Sequence, residues 1–361
     1  MLPDGVVESF RLQSHFSAEF GSPLYAELLR RGAEDVEQGG VLASLLDGWQ
    51  GKPIPDALPI RLVGAVHRLV LDGAAPDLAP FYPTVGGAPR WPETWDAFLA
   101  AIASHREVVR AALDRQVQTN EVRRSAALLG GCLTVAAASG LPLRLLEIGA
   151  SAGLNLRWDH YGYELFDTGP CAPPADGAPV VARWGAADAP MTVRTGWHGP
   201  TALFGGAARV AERRGCDIAP IDLADPDQVR RLEAFIWADQ PQRLAQLRAA
   251  IAAARRDPVT LERCSAAEWV DAQLAAPRDG VATVVFHSVM WWYLSDEQRQ
   301  RVTAAVEAAG ARATTAAPVA WLVFDLFGTP TYEVHLRQWP GGEERRLARA
   351  CPHGRWVDWM E

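Results

Sequence analysis

The chain is almost without lysine: of its 35 basic residues only Lys52 is one, and the rest are arginine. That excludes Schiff-base chemistry anywhere but Lys52, which lies in a Gly/Pro-rich loop. Cysteine is sparse. Cys132, Cys171, Cys216, Cys264 and Cys351 are widely scattered and form no Cys-x-x-Cys pair, which excludes a zinc ribbon or dithiol redox motif. No cluster of His, Cys and acids has metal-ligand spacing, so no metal is expected. An odd cysteine count without a framework fits a reducing compartment, and a cytoplasmic location is the expectation. The N-terminus, Met-Leu-Pro-Asp-Gly, lacks a basic region and an apolar region, so no signal peptide is read there. Positive charge is also in deficit. The net charge is −8, which argues against a nucleic-acid partner, because such binding rests on basic surface meeting phosphate. Long apolar runs are missing too. The longest uncharged stretch, Ser125 to Leu143, is interrupted by Gly130, Gly131, Gly140 and Pro142. It reads as a buried helix and a turn, with no membrane partner expected.

What is present describes an ordinary globular chain of 361 residues, 49% apolar and 22% charged, long enough for one large or two medium domains. Residues 1–138 read as all-helical. Phe10, Phe16, Phe20, Leu24 and Leu28 recur at helical spacing in two helices broken near Gly21-Ser-Pro23. Pro59 to Leu71 and a long Trp95 to Arg115 segment are further helices. Residues 139–361 alternate strand and helix, which predicts a doubly wound α/β sheet.

That second part is organised around Leu143-Arg-Leu-Leu-Glu-Ile-Gly-Ala-Ser-Ala-Gly-Leu-Asn-Leu156. An apolar strand runs to Ile148, turns through small residues from Gly149 to Gly153, and enters a predicted first helical turn at Leu154. Strand, small-residue turn and helix start form a cradle for a nucleotide-like ligand, because backbone can approach closely and the first amides are free. Gly149-Ala-Ser-Ala-Gly153 also spells Gly-x-Ser-x-Gly, the nucleophile elbow of serine hydrolases. Ser151 would then be the nucleophile, with Asp325 and His335 or His353 completing the set. A turn that binds nothing is the third reading. Only helices precede this strand, whereas a nucleophile elbow usually comes after several strands, and this favours the cradle.

Downstream, 161–198 reads as a hairpin-bearing insertion and Ala202 to Arg214 as helical. Gly215-Cys-Asp-Ile-Ala-Pro220 reads as a strand end and turn. Asp225-Pro226 opens a helical region. Pro258 to Cys264 reads as a strand, and Ser265 caps the next helix. Val281 to His287 is a strand apolar enough for burial on both faces, and Ser295-Asp-Glu-Gln298 is a capping box. Val319 to Phe324 is another buried strand. Tyr332 to Gln338 and Arg355 to Trp359 make a terminal antiparallel hairpin, separated by a charged turn region, Gly341 to Arg349.

This order resembles the seven-stranded class I S-adenosylmethionine-dependent methyltransferases. The resemblance rests on Glu147-Ile-Gly-Ala-Ser-Ala-Gly153 as the first motif, on Gly215 to Pro220 as the second-strand motif, and on Val284 to Gln298 as the fourth-strand segment. The chain more closely resembles, along nearly its whole length, the uncharacterised bacterial domain-of-unknown-function family 2332, through Gln118-Thr-Asn-Glu121, Gly149 to Asn155, and Phe286-His-Ser288. The methyltransferase resemblance implies a Rossmann-like fold, S-adenosylmethionine as cofactor, and a small-molecule substrate enclosed between the helical cap and the cofactor domain. It implies that Glu147 meets the cofactor's ammonium, and that Gly149, Ala150, Ser151, Gly153 and Asn155 line it. Asp217 would hold the ribose, with Asp167 and Asp222 as rivals, and Cys264 and Ser265 would face the adenine. His287 and Glu121 are the candidate catalytic groups; Asn120, Trp291 and Tyr293 are candidates for the substrate. The third strand ends in Arg263-Cys-Ser265, where an acid is common in that superfamily. A non-catalytic module binding the cofactor or a nucleotide is the alternative of a different class.

Overall fold

The computed structural model describes residues 3–328 and 331–361. The chain divides into two compact units, one running to Thr119 and including Ala224–Arg248, the other holding Asn120–Leu223 and Ala249–Glu361.

In the first unit the helices are α1 (Val6–Glu19), α2 (Pro23–Glu37), α3 (Val41–Leu46), α4 (Leu58–Leu71), α5 (Glu93–Ser104) and α6 (Arg106–Leu113). Ser22 caps α2, its hydroxyl accepting the Tyr25 N–H at 3.2 Å, and Pro23 fits the first turn. The long helix expected from Trp95 to Arg115 is split, because His105 leaves the helical region at φ −121°. Phe10, Leu28, Leu62, Val66, Tyr82, Phe98 and Ile102 form a closed apolar core that also takes in Trp237 and Ala238. That is why the later segment, with α8 (Pro226–Ala234), belongs to this unit. Asp239 ties it down, accepting from Ser22 Oγ at 2.6 Å and from Leu24 N at 3.0 Å.

The second unit begins before the 138/139 boundary drawn from sequence. Helix α7 (Ser125–Ser139) has no polar stripe and is buried along most of its length. Gly130 and Gly131 let it lie against the sheet: a Cβ there would stand 2.4 Å from the Trp359 ring and 2.3 Å from Leu322. Next come β1 (Leu143–Ile148), β2 (Gly162–Asp167), β3 (Val180–Trp184), β4 (Thr192–His198) and β5 (Val210–Asp217). Helix α9 (Pro241–Arg256) leads to β6 (Thr260–Arg263), α10 (Ala266–Gln273), β7 (Ala282–Ser288), α11 (Asp296–Ala311) and β8 (Val319–Leu326). The chain closes with β9 (Tyr332–Trp339), β10 (Glu343–Ala350) and β11 (Trp356–Trp359).

Among the described residues these strands form one eleven-stranded sheet, ordered β3-β2-β4-β11-β10-β9-β8-β7-β1-β5-β6. It is mixed but mostly parallel, and β8-β7-β1-β5-β6 is an unbroken parallel block. On one face α7 packs; on the other, α10 and α11 cover Leu146, Ile148 and Val285, with Val302 and Val306 of α11 in the same core. Every residue of β7 is buried, and each large apolar side chain removed from water contributes about 1.5–3 kcal/mol.

Two expectations are corrected and a third is extended. The segment read as a helix from Ala202 to Arg214 is a short 3₁₀ turn and then β5. Its charges suit a strand because neighbours pair with them: Arg144 with Glu212 at 3.0 Å and Arg214 with Glu262 at 2.8 Å. The charged region read as a turn is mostly β10, so the terminal hairpin gains a strand. The insertion at 161–198 does carry a hairpin, β2 with β3, but its strands extend the same sheet through the parallel pairing of β4 with β11.

Candidate functional site

Chain order builds the site. After β1 the chain lays down β2, β3 and β4 at the far end of the sheet; it then returns to place β5 and β6 on one side of β1, and β7 and β8 on the other. The direction of winding therefore switches between β1 and β7, and crevices beyond the carboxyl ends of strands at such a point are where doubly wound folds hold ligands.

At that place Gly149 (φ 68°), Ser151 (φ 53°) and Gly153 (φ 69°) all adopt left-handed backbone. Two are glycine, as the geometry favours. Ser151 has a Cβ and bears a strain of about 1–3 kcal/mol. The amides are already spent. Ala150 N donates to Cys216 O at 2.9 Å and Gly153 N to Ala150 O at 2.7 Å. Ser151 N donates to Asp217 Oδ2 at 2.9 Å, while Ala152 N and Leu154 N both donate to Asn120 Oδ1, at 3.2 and 2.9 Å. In place of the expected helix start with free N–H groups, the turn leads into a 3₁₀ stretch, Asn155–His160. Side chains of the protein itself satisfy the turn. Met290 lies against Gly149, 3.1 Å from where a Cβ would stand.

The side chains are less satisfied than the backbone. Glu147 is 2% exposed, and its Oε2 has no hydrogen-bond partner. Burial, and then the charge of Asp217, push its carboxyl well above the ordinary value; Arg124 and a backbone hydrogen bond from Leu156 pull the other way. Ser151 Oγ and Asn155 Oδ1 are likewise buried without partners. Asp217 closes β5 beside them, its Oδ1 taking the Ala219 N–H at 2.9 Å. Of its rivals, Asp167 ends β2, which β4, β11, β10, β9, β8 and β7 separate from β1 in the sheet order. Asp222 is exposed beyond the end of β5. Ile218, next to Asp217, is an apolar residue left 61% exposed. Cys264 lies just past β6, and its amide donates to Asp217 O at 3.2 Å. Ser265 caps α10, accepting from Glu268 N and donating to its carboxylate at 2.9 Å.

On the β7 side, His287 is fully buried and stacks on Trp291 with ring centroids 4.9 Å apart. Its Nδ1 lies 3.5 Å from Asp325 Oδ2, and neither ring nitrogen has a well-formed hydrogen bond. Asp325 accepts the amides of Met290, Trp291 and Leu326 at 2.9, 3.0 and 3.0 Å. Burial disfavours its ionised form, but the imidazole and these amides outweigh burial and hold its carboxyl below the ordinary value. The Asp325–His335 pairing drawn from sequence is therefore not assembled: Asp325 faces His287, while His335 is held between Glu333 and Glu344 at 2.8 and 2.9 Å.

Glu121 is buried and caps the turn after it, accepting the Arg123 N–H at 3.1 Å. Tyr293 and Trp292 are exposed and meet edge to face at 5.1 Å. One charged group on the β7 side carries almost no signal in the sequence. Arg124 donates from Nε to Pro352 O at 2.9 Å and from Nη1 to Ser288 O at 3.2 Å. Its only mark is adjacency, directly after Asn120-Glu121-Val-Arg123.

Among the described residues no group of three or more His, Cys, Asp and Glu is placed to hold a metal ion, and no helix is long and apolar enough to cross a membrane. A family model described as an uncharacterized protein conserved in bacteria (DUF2332) matches residues 7–359. No curated protein and no solved structure matches the chain.

Proposed function

We propose that this chain, which belongs to the uncharacterized bacterial family DUF2332, is an S-adenosylmethionine-dependent methyltransferase acting on a small molecule. The observation that carries the reading is Glu147. A carboxylic acid at the end of the central strand, beside the winding switch, is buried with one oxygen unpartnered. Such an oxygen is expensive to bury, and a ligand's ammonium satisfies it.

Three features support the choice of cofactor. The parallel block, numbered in chain order from β1, runs 3-2-1-4-5, the doubly wound order of nucleotide-binding sheets, with antiparallel β9 next to its last strand. Asp217 offers a carboxylate at the end of the neighbouring strand, suited to a ribose diol, because each oxygen takes only one N–H. Ile218 leaves an apolar surface beside it, suited to an adenine face. Glu147 would hold the amino group, Gly149 to Gly153 with Asn155 the chain between, and Cys264 the far side of the base.

Bound there, the cofactor supplies an activated methyl group for in-line displacement, and positioning and water exclusion supply most of the acceleration. The protein's part is to orient. Asn120 and Asp217 hold the turn rigid from two sides, and Asp325 holds the segment after β7. In this reading His287 is the group that takes a proton from an acceptor that must lose one. Calorimetric titration with S-adenosylmethionine and S-adenosylhomocysteine tests the reading. Saturable binding of both is expected, and absence of both would overturn it. Binding without turnover on any acceptor would favour a non-catalytic module.

Ser151 favours a second reading, a serine hydrolase, through its left-handed backbone and unpartnered hydroxyl. Against it, the Ala152 amide, which would stabilise the oxyanion in a nucleophile elbow, is bound to Asn120. Labelling of Ser151 by a fluorophosphonate would support this second reading.

A further inference from the structure

Arg124 does something that no role above uses. Its guanidinium is drawn in from solvent far enough that desolvation disfavours its charge, yet among the described residues no carboxylate lies within ion-pair distance of it. The nearby acids are engaged elsewhere: Asp325 with three amides, Glu121 with the Arg123 N–H. Two main-chain carbonyls fix its orientation, Ser288 at the end of β7 and Pro352 between β10 and β11. They use one N–H of Nε and one of Nη1. Three N–H groups remain, one on Nη1 and two on Nη2, the donors from which a guanidinium meets a carboxylate or phosphate with paired hydrogen bonds. A rigidly aimed arginine with no counter-charge is the usual donor for bidentate anion recognition.

Its anchors decide which ligand it faces. Ser288 and Pro352 lie on the β7–β10 side of the switch, away from β5, where Asp217 and Ile218 sit. Its electrostatic neighbours are Glu121 and, on that side, Tyr332, Asp325 and Tyr293, and the Tyr293 and Trp292 side chains are exposed. We infer that Arg124 is the anchor of an acceptor subsite for a small organic acid, the carboxylate or phosphate gripped by the guanidinium and the body lying toward the Trp292 and Tyr293 rings. Calling it the acceptor's subsite rests on the methyl-transfer reading; the anion site does not.

The test titrates the full-length protein, with and without S-adenosylhomocysteine, with benzoate, its neutral isostere benzamide, and inorganic phosphate. Wild type should bind benzoate at least about tenfold more tightly than benzamide, and Arg124→Gln should abolish the difference while holding S-adenosylhomocysteine within about twofold of wild type. Phosphate competing with benzoate would extend the anion class to phosphate esters; phosphate failing to compete would narrow it to carboxylates, and both outcomes uphold the anion site. Arg124→Lys, which keeps the charge but not the fork, should retain part of the preference and covers the case in which Arg124→Gln does not fold. Benzoate and benzamide indistinguishable in wild type, including no binding of either, would overturn the inference. So would an Arg124→Gln defect confined to S-adenosylhomocysteine, which would assign the arginine to the cofactor's own carboxylate. Benzoate preference without any S-adenosylhomocysteine binding would leave the anion site standing and remove the methyl-transfer reading instead.

Discussion

Asn120 Oδ1 receives two backbone N–H groups at once, from Ala152 at 3.2 Å and from Leu154 at 2.9 Å. One side chain from the segment before α7 thereby braces the turn after β1. Removing it strands two buried donors. Asn120→Ala is expected to cost about 2–3 kcal/mol, since each unsatisfied buried group costs roughly 1–3. Asn120→Asp, which keeps the accepting oxygen, should cost less. Urea unfolding of the three proteins checks this. A loss below about 0.5 kcal/mol in Asn120→Ala would mean that the turn holds itself.

Glu147 gives stability a pH slope of unusual sign. Its carboxyl sits well above the ordinary value in the folded chain, chiefly through burial. Above that ordinary value the unfolded chain has lost the proton and the folded chain has kept it. Stability therefore falls as pH rises from the ordinary carboxylate range to the raised folded value, by up to about 1.4 kcal/mol per pH unit. Glu147→Gln, neutral at every pH, should remove this slope and be more stable than wild type near neutrality. Unfolding curves between about pH 5 and 8 decide the matter, and parallel pH profiles for the two proteins would refute the burial argument.

Asp325 has the opposite linkage. Its carboxyl is held low, so it contributes stability above the ordinary aspartate value, and that contribution is lost as pH falls through the folded value. Asp325→Ala leaves the Met290, Trp291 and Leu326 amides without their acceptor. A loss of about 2–4 kcal/mol near neutral pH is expected, with a smaller difference from wild type in acid. Equal loss at neutral pH and in acid would show that packing, not charge, explains the effect.

Asp217 and Asp167 should separate cleanly. Asp217 lies on the turn through Ser151 N, while Asp167 ends a strand far across the sheet. Asp217→Ala is expected to weaken S-adenosylhomocysteine binding by well over about tenfold, or 1.4 kcal/mol, and Asp167→Ala to leave it unchanged. Calorimetry on both variants checks this, and unchanged affinity in Asp217→Ala would move the role toward Asp222.

Strands β1, β7 and β8 of the parallel block were legible in the sequence because burial on both faces leaves a plain signature. Val284, Val285 and Phe286 are apolar without alternation, and the Ser295 capping box starts α11 where its motif stands. Of β5 only the end at Gly215 to Asp217 was legible; its first part was not, because Glu212, Arg213 and Arg214 look solvated until Arg144, Asp159 and Glu262 are placed beside them. The strand β10 hid behind charge in the same way. At the site, Glu147 and His287 stood out by ending apolar strands. The bracing by Asn120 could not be read, since its partners lie more than thirty residues away in the chain. The Ser288 and Pro352 carbonyls that aim Arg124 are further still, and backbone carbonyls leave no mark in side-chain pattern.

A crystal structure grown with S-adenosylhomocysteine tests the central claim most directly. The account expects the ligand at the Gly149 to Gly153 turn, its amino group within hydrogen-bond distance of Glu147 Oε2, about 2.7–3.2 Å, and its ribose hydroxyls on Asp217. Ligand bound elsewhere, or an unchanged turn with Glu147 Oε2 still unpartnered at saturating ligand, would contradict it.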